Sequence, residues 1–250
     1  MNIVACVKRV PTTEAEATIT GDGKGLDAKG QAHMISFYDE IALEQAVQTK
    51  ESLGGEVTVL TLGASDGTKE IRECMAKGAD KAVVLTDDEW ASRDARATAK
   101  ALTAQLSSMG AELVFMGRVA TDRDNSAVGP MTAVFLGWAC VTDVIELSIE
   151  AGKGSAKRET EHGIETVEFS LPAIVTCNKG LNEPRYAGLK GIMAAKKKPL
   201  EEVAVTLEDN QAQIQSVELP APRAAGRIVG EGAAAVPALI EALQNEAKVL

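Results

Sequence analysis

The sequence predicts an α/β protein with a doubly wound, mostly parallel β-sheet. Short apolar runs alternate along the chain with helical stretches of about ten or more residues, and this alternation requires right-handed crossovers between parallel strands. The apolar runs do not alternate with polar residues, which is typical of strands covered on both faces. With 250 residues, the chain is long enough for one large α/β domain and an additional arm.

Four strand–helix units make up the first part of the predicted sheet. Strands are predicted over residues 2–7, 56–62, 81–86 and 112–117. Helices are predicted over residues 38–53, 68–77, 126–138 and from 92 or 94 to 109. Ser36 is placed to cap the first helix, and Gly78 and Gly110 stand where glycine commonly ends a helix. The polar, glycine-rich residues 12–33 are expected to form an irregular excursion or a loose hairpin.

The pattern changes after Cys140. Residues 141–149 and 165–171 are predicted to form an antiparallel pair around a turn at Gly163, and residues 173–177 return to a buried run. From Pro199 onward, proline and glycine are too dense for packed structure, until a last amphipathic helix is predicted over residues 233–247. We therefore expect a nucleotide-binding domain over residues 1–198 and an extended C-terminal arm over residues 199–250.

Charge and composition exclude several classes of protein. The net charge of -10 argues against a nucleic-acid partner, because nucleic-acid-binding domains usually present a basic face. No apolar run approaches the roughly 18 residues of a membrane-spanning helix, and the start MNIVACVKRV is strand-like rather than signal-like. We therefore expect no membrane insertion and a cytoplasmic location. Since only 3% of the residues are aromatic, the core must consist mainly of aliphatic side chains.

The cysteine and histidine residues give no sign of a metal site or a disulfide. The four cysteines are far apart and form no CxxC motif, so they are expected to be buried free thiols. His33 and His162 have no partner at a metal-ligand spacing. No metal is expected.

The residues that follow the strands are candidates for a binding site. In an open α/β sheet, ligands bind beyond the carboxyl ends of the strands. The segments that leave strands there are CVKRV, ISFYDE, TLGAS and GRVATDRDNSAVGPMTA. The last of these enters a helix through Asn125, Ser126 and Gly129, and the free N–H groups of a helix N-terminus attract anions. A nucleotide phosphate in this loop is one interpretation, with Ser126 and Thr132 as hydroxyl donors.

The alternative for the same loop is that Asp122, Asp124 and Asn125 only cap the helix. Neither a GxGxxG fingerprint nor a GxxxxGK[ST] loop occurs, and no GxSxG elbow or Cys/His pair is present. Without catalytic residues, the chain is expected to bind a cofactor and to carry it rather than to act as an enzyme.

A second segment, NEPRYAGLKGIMAAKKKP over residues 182–199, indicates a contact surface. Leu189, Ile192 and Met193 lie in a predicted glycine-broken loop of an acidic chain, followed by Lys196, Lys197 and Lys198. A buried apolar anchor with a charged rim suits a specific, transient contact with another protein. The alternative is that these apolar residues pack on the chain's own arm or on a second subunit.

Several segments together resemble the beta subunit of electron transfer flavoproteins, across essentially the whole chain. They are MNIVACVKRVP, FYDEIALEQA, IRECMAKGAD, DRDNSAVGPMTA and LNEPRYAGLKGIMAAKKKP. The resemblance implies an adenine-nucleotide α-hydrolase-like fold. It also implies a heterodimer in which an α subunit holds most of an FAD, shared with this chain, and the C-terminal helix packs on that subunit.

The resemblance further implies that this chain binds a structural AMP. Carried over by motif, the cofactor-binding residues are Cys6, Ser36, Phe37, Tyr38, Asp39, Leu62, Asp122, Arg123, Asp124, Asn125, Ser126, Ala127, Val128, Gly129, Pro130, Met131, Thr132 and Ala133. Tyr38 matches an aromatic position near the flavin ring.

A branch of the family binds a second FAD in place of AMP, oxidises NADH and bifurcates the electrons. Val128-Gly129-Pro130 agrees with that branch, whereas its Asp-Thr-x-Ala-Thr stretch is matched only in part, by Asp94, Ala97 and Thr98. Arg123 stands where the branch has Gly, which adds bulk and removes backbone freedom. AMP is the favoured ligand and the second FAD the alternative.

The resemblance also assigns the second segment to partner recognition. Leu189 matches the anchoring leucine, with Ile192 and Met193 beside it and Lys196, Lys197 and Lys198 on the flank. The implied partners are flavin dehydrogenases, such as the acyl-CoA dehydrogenases of fatty acid oxidation, and an acceptor of the quinone oxidoreductase type. More distant alternatives are a stand-alone adenine-nucleotide sensor and an α/β nucleotide hydrolase.

Overall fold

The structure is a computed structural model that describes residues 1–27, 30–150, 152–205, 207–223 and 225–250. The chain divides into two compact units, Met1–Val217 and Glu218–Leu250. None of the helices in the described ranges is long and apolar enough to span a membrane.

A nine-stranded sheet forms the centre of the first unit. In chain order its strands are β1 (Asn2–Cys6), β4 (Glu56–Gly63), β5 (Lys81–Thr86), β6 (Leu113–Gly117), β7 (Ala139–Glu150), β8 (Lys153–Thr160), β9 (Gly163–Ser170), β10 (Ala173–Cys177) and β11 (Leu200–Ala204). Their spatial order is β11-β5-β4-β1-β6-β10-β7-β8-β9, and only the β7–β8 and β8–β9 pairs are antiparallel. The predicted doubly wound, mostly parallel sheet is confirmed.

Helices cover both faces of the sheet. They are α1 (Phe37–Leu53), α2 (Thr68–Lys77), α3 (Ala95–Met109), α4 (Val128–Leu136) and α5 (Leu189–Ala195). Along β1, Ile3 and Ala5 join the core with α1 and α2, whereas Val4 and Cys6 join the core with α3 and α4. This division follows from the strand geometry, in which successive side chains point to opposite faces.

The excursion after β1 is a loose hairpin in its described part. Strands β2 (Arg9–Pro11) and β3 (His33–Ile35) pair in antiparallel fashion, and an isolated bridge joins Ile19 to Leu26. The hairpin returns the chain to Ser36 and the start of α1. Residues 28 and 29 of the predicted excursion lie outside the described residues.

The predicted direct pairing of residues 141–149 with 165–171 was wrong. Strand β8 lies between these two strands and pairs with both. Gly163 is the first residue of β9, so the turn before it joins β9 to β8 and not to β7. The sequence of β8, KGSAKRET, is polar, and Gly154 and Ala156 are its only buried residues. A strand with so little apolar surface has no hydrophobic pattern from which it could be predicted.

The region after residue 188 is more ordered than the sequence suggested. The expected loop contains helix α5, and strand β11 continues the sheet beside β5. The first unit therefore extends to Val217, whereas the sequence set the start of the arm at Pro199. The association of the arm with a second subunit stays a prediction.

The second unit is helical near its end. A short 3₁₀ turn at Ala233–Ala235 leads into α6 (Val236–Glu241) and a π-helical segment, Ala242–Ala247, where one continuous helix was expected. Leu239 and Ile240 are exposed.

Three of the four cysteines are buried free thiols, as expected: Cys6, Cys74 and Cys177. The expectation was wrong for Cys140, which is exposed. It lies on β7, where the side-chain burial alternates and the side chain of Cys140 falls on the open face.

A buried carboxylate ties the first helix to two central strands. Asp39, in the first turn of α1, accepts a hydrogen bond from the backbone N–H of Lys8 at 2.8 Å and from that of Gly117 at 2.9 Å. Lys8 follows β1, and Gly117 ends β6. A carboxylate in the first turn also interacts favourably with the helix dipole. Asp39 therefore fixes α1 against the carboxyl ends of the two neighbouring strands.

Gly117→Ala should destabilise the protein. A Cβ at this position would lie 2.5 Å from Asp39 Oδ1 and 2.8 Å from the Asp39 backbone nitrogen. Relief requires a shift of the α1 backbone, which typically costs about 1–3 kcal/mol. The control is Gly63→Ala at the end of β4, where a Cβ meets no atom within 4 Å. Urea unfolding measures both variants, and equal midpoints would contradict the tight approach of α1 to β6.

Asp39 should also make stability depend on pH. Burial raises the pKa of the Asp39 carboxyl from 3.8 to about 7, against the opposing hydrogen bonds from Lys8 and Gly117. The folded state then holds this proton more tightly, so the contribution to stability is lost as pH rises from about 4 to about 7, by up to about 1.4 kcal/mol per pH unit. Asp39→Asn removes this titration.

The wild-type protein should therefore lose stability relative to Asp39→Asn as pH rises through this window, and the difference should level off above it. Urea unfolding of both proteins at a series of pH values gives the difference in unfolding free energy. A difference that does not change with pH would mean that Asp39 has the same pKa in the folded and unfolded states.

Candidate nucleotide-binding cleft

A cleft opens at the carboxyl ends of β1, β4 and β6. The chain passes from β1 to β4 on one side of β1 and later to β6 on the other side, so the strand order reverses here. Ligands of open α/β sheets bind at such a reversal. The cleft encloses about 890 Å³, including its part open to solvent, and its apolar wall contains Leu60, Leu62 and Met116.

Half of the predicted cofactor-binding residues line this cleft. They are Cys6, Asp39, Leu62, Arg123, Asn125, Ser126, Ala127, Val128 and Gly129. Burial, and then the nearby Asp39 carboxylate, raises the pKa of the Cys6 thiol, so this thiol is neutral. It contributes a small apolar surface to the cleft rather than a nucleophile.

The remaining predicted residues have other positions. Ser36 precedes α1, but its hydroxyl does not cap the helix; instead Ser36 Oγ accepts from the Thr121 N–H at 3.2 Å. Thr132 Oγ1 donates to the Val128 carbonyl at 2.7 Å, and Ala133 packs in the core. This geometry does not support the predicted contact of Ser36, Thr132 and Ala133 with a ligand. Other residues outside the main cleft are Phe37, Tyr38, Asp122, Asp124, Pro130 and Met131.

Tyr38 and Asp124 line a second pocket beside the cleft. Arg118, Thr121 and Ser126 belong to the same pocket. The Arg118 guanidinium lies over the Tyr38 ring, 5.7 Å from its centroid. Ser126 lines both the cleft and the pocket, so the two spaces are neighbours.

The loop before α4 leaves the start of the helix free for a ligand. Ala127 occupies the N-cap position, and no side chain in the described part of the chain caps α4. Asp122 instead forms an ion pair with Lys8 at 2.6 Å. Asp124 and Ser126 have φ angles of 47° and 50°, a conformation rare for residues other than glycine. The capping interpretation of Asp122, Asp124 and Asn125 is therefore wrong, and the N–H groups at the start of α4 are unpaired with side chains.

Gly129 has a packing role. A Cβ at this position would lie 2.8 Å from Thr176 Cγ2 on β10 and 3.5 Å from Met116 Sδ on β6. Gly129 is needed for close contact between α4 and the sheet, so its absence of a side chain is not by itself a sign of a ligand.

Arg123 connects two loops at the cleft. Its guanidinium donates to the carbonyl of Arg93 at 3.0 Å and to the carbonyl of Ala91. Residues 91 and 93 follow β5, whereas Arg123 follows β6. The side chain therefore bridges the loops on the two sides of the cleft and occupies part of the space between them.

Other lining residues were not named individually as cofactor contacts. Six of them lie within the predicted strand-end segments CVKRV and GRVATDRDNSAVGPMTA: Val7, Lys8, Gly117, Arg118, Val119 and Ala120. Thr98 was named only as a match to the branch that binds a second FAD, and the residues that were not predicted are Leu60, Trp90, Arg93, Ala95, Leu102 and Met116. Trp90 and Arg93 lie around a short 3₁₀ helix, Trp90–Ser92, that has no clear sequence pattern.

The cations around the cleft differ in their partners. Arg93 is paired with Asp87 at 2.7 Å, and Lys8 with Asp122, whereas Arg118 is 3.3 Å from Asp143. Within the described ranges, no group of three or more His, Cys, Asp or Glu residues is arranged to hold a metal ion. The cleft therefore combines an apolar wall, paired cations and a free helix N-terminus, a combination that fits a phosphorylated ligand with an apolar group.

The predicted recognition residues lie mostly on the surface of α5. Leu189 is 76% exposed, Met193 is 64% exposed, and Ile192 is also exposed. Lys196 and Lys197 are exposed as well. Lys198 differs, because its ammonium donates to the carbonyls of Met75 at 2.9 Å and Ala79 at 2.5 Å. Lys198 therefore stabilises the fold, and its predicted role as a free rim charge is wrong.

Comparison with known proteins identifies the family. A family described as "Electron transfer flavoprotein domain" matches residues 25–208. The electron transfer flavoprotein subunit beta of Bacillus subtilis is 36% identical, over 100% of both chains. The proteins of the same name from Syntrophomonas wolfei and Thermoanaerobacterium thermosaccharolyticum are 35% and 39% identical, over 100% and 84% of this chain and 98% and 80% of their own. The chain therefore belongs to the family of electron transfer flavoprotein beta subunits.

Proposed function

We propose that this chain is the β subunit of a heterodimeric electron carrier. Electrons pass from flavin dehydrogenases, such as acyl-CoA dehydrogenases, to an oxidoreductase of the quinone oxidoreductase type. The FAD held mainly by the α subunit supplies the redox chemistry. Membership of the beta-subunit family carries this proposal.

The cleft is proposed to hold AMP. The adenosine would lie against the apolar wall formed by Leu60, Leu62 and Met116, and the phosphate at the start of α4 beside Asn125 and Ser126. The uncapped N-terminus of α4 is the observation that supports the phosphate position, since free N–H groups and the helix dipole both favour an anion.

AMP is preferred to a second FAD because of Arg123. Its bridge to the carbonyls of Ala91 and Arg93 occupies space between the loops that a longer dinucleotide would need. The alternative, a bifurcating protein that oxidises NADH at a second FAD, is supported by Thr98, which matches that branch and lines the cleft.

The two remaining surfaces are proposed to bind proteins. Helix α5 presents Leu189, Ile192 and Met193 for a hydrophobic pocket of a dehydrogenase, with Lys196 and Lys197 as charges at the rim. The unit Glu218–Leu250 exposes apolar side chains such as Ile228 and Leu250 and is proposed to pack on the α subunit.

Ser126→Asp should lower the nucleotide content of the purified heterodimer. The new carboxylate would repel a phosphate at the start of α4, and Asp tolerates the φ of 50° at this position. We expect AMP to fall to well below one molecule per heterodimer while FAD is retained, as measured by mass spectrometry of the denatured protein. The control is Ser148→Asp at an exposed position of β7, and equal AMP in both variants would mean that the phosphate lies elsewhere.

Leu189→Ala should weaken docking without affecting the flavin. Removing a well-buried Leu side chain typically costs about 2–3 kcal/mol, which is about thirtyfold to a hundredfold in affinity. The apparent KM for the carrier, measured with an acyl-CoA dehydrogenase by bleaching of the flavin, should rise accordingly. Flavin content and kcat should not change. Ile164→Ala, an exposed apolar residue on β9, is the control; wild-type KM in Leu189→Ala would exclude this residue as the anchor.

A further inference from the structure

Arg185 fastens the segment before α5 to α1, together with Asn182, whose Nδ2 donates to the Ile41 carbonyl at 3.1 Å and to Gln45 Oε1 at 3.2 Å. Arg185 donates from Nε and Nη2 to the Glu44 carboxylate, at 2.8 and 2.9 Å, and from Nη1 and Nη2 to the Glu51 carboxylate, at 2.6 and 2.9 Å. Its backbone N–H also donates to Glu44, at 3.2 Å. Glu44 and Glu51 are two turns apart on α1. One guanidinium therefore spans two turns of the helix.

The contact with Glu44 is made away from solvent. The side chain of Glu44 is only 6% exposed, whereas that of Glu51 is 53% exposed. Burial alone would raise the pKa of Glu44, but hydrogen bonds from Arg185 and Gln48 outweigh it and hold this pKa below its usual value. A buried carboxylate that lost its arginine would be strongly unfavourable, so Glu44 holds Arg185 in place.

The other end of α5 is fastened to α2. Arg72 Nη1 donates to the carbonyl of Ala195, the last residue of α5, at 2.6 Å and to that of Lys198, just beyond the helix, at 2.7 Å. Gly191 packs so closely on the Ala76 carbonyl that a Cβ would collide with it. The two anchors are separate, since Arg185 acts on α1 before the helix begins and Arg72 acts on α2 where it ends.

Between these anchors the apolar side chains point outward. Tyr186 is 97% exposed although it follows Arg185 directly, and Leu189 comes one turn later. A helix of seven residues is not stable by itself in water. The exposed position of Leu189 therefore depends on the contacts at the two ends of the segment.

We propose that Arg185 is a positioning residue for partner docking, which holds residues 182–188 on α1 through Glu44 and Glu51 and so presents Leu189 in a preformed arrangement. This inference rests on the proposed docking of α5 to a dehydrogenase. Preformed contact elements bind more tightly because the ordering cost is met before association. Arg185 does not line the cleft, so we expect its loss to act on association and not on the nucleotide in the cleft.

The test compares four heterodimers, each purified with its α subunit: wild type, Arg185→Ala, Arg185→Lys and Arg96→Ala. Arg96 on α3 is the matched control, because it also pairs with a carboxylate, that of Glu208 at 2.9 Å. We expect Arg185→Ala to raise the apparent KM with an acyl-CoA dehydrogenase by about threefold to tenfold, the range for ordering one or two side chains. The value of kcat and the flavin content should not change. Lys lacks the planar, five-donor fork with which Arg185 pairs both carboxylates, so Arg185→Lys should lie between wild type and Arg185→Ala.

Hydrogen–deuterium exchange gives a second readout on the same proteins. Amides of residues 186–195 should exchange faster in Arg185→Ala than in wild type and Arg96→Ala. If Arg185→Ala does not fold because Glu44 is left unpaired, Glu51→Gln takes its place in the test. This variant weakens only the exposed contact of Arg185 with Glu51, so it should show a smaller rise in KM and a smaller rise in the exchange rate.

The inference is overturned if Leu189→Ala raises KM in this assay while Arg185→Ala has the KM of the wild type. Where Arg185→Ala does not fold, a wild-type KM for Glu51→Gln overturns the inference in the same way. If Leu189→Ala also leaves KM unchanged, the docking site itself is wrong, and the inference fails with the proposed function.

Discussion

The arrangement of the cleft depends on the hydrogen bonds that the buried Asp39 carboxylate accepts. This carboxylate binds the backbone N–H groups after β1 and at the end of β6, the two neighbouring strands between which the order of the sheet reverses. Gly117 allows this contact, because any side chain there would collide with Asp39. Lys8, whose backbone is held in this way, then pairs with Asp122 in the loop that leads to α4. The carboxylate thus connects the core to the candidate phosphate loop.

Charged side chains bonded to backbone carbonyls fix the loops around both proposed surfaces. Arg123 joins the loops at the cleft through Ala91 and Arg93, and Arg72 and Lys198 hold the chain at the end of α5. In each case a cation satisfies carbonyls that regular secondary structure leaves unpaired. This use of cations agrees with the proposed role of the chain, which is to hold a nucleotide and a docking helix in fixed positions.

The sheet could be predicted from the sequence because its parallel strands are continuous apolar runs between helices. Strand β8 could not, since its burial rests on Gly154 and Ala156 alone. The segment around Asn125 and Ser126, which the rule on strand ends singled out, lines the cleft, and its contact with a phosphate stays a prediction. The roles of Ser36 and Lys198 were not predictable, because their polar atoms bond to backbone groups far away in sequence. Such long-range partners leave no local pattern.

The nucleotides released from the wild-type heterodimer on denaturation test the central claim most directly. We predict one AMP and one FAD per heterodimer, because AMP is the proposed ligand of the cleft and Arg123 occupies part of the space that a longer dinucleotide would need. Quantitative chromatography of the released nucleotides distinguishes the possibilities. Two FAD per heterodimer would contradict the assignment of AMP, and a single FAD without any second nucleotide would contradict the cleft as a nucleotide site.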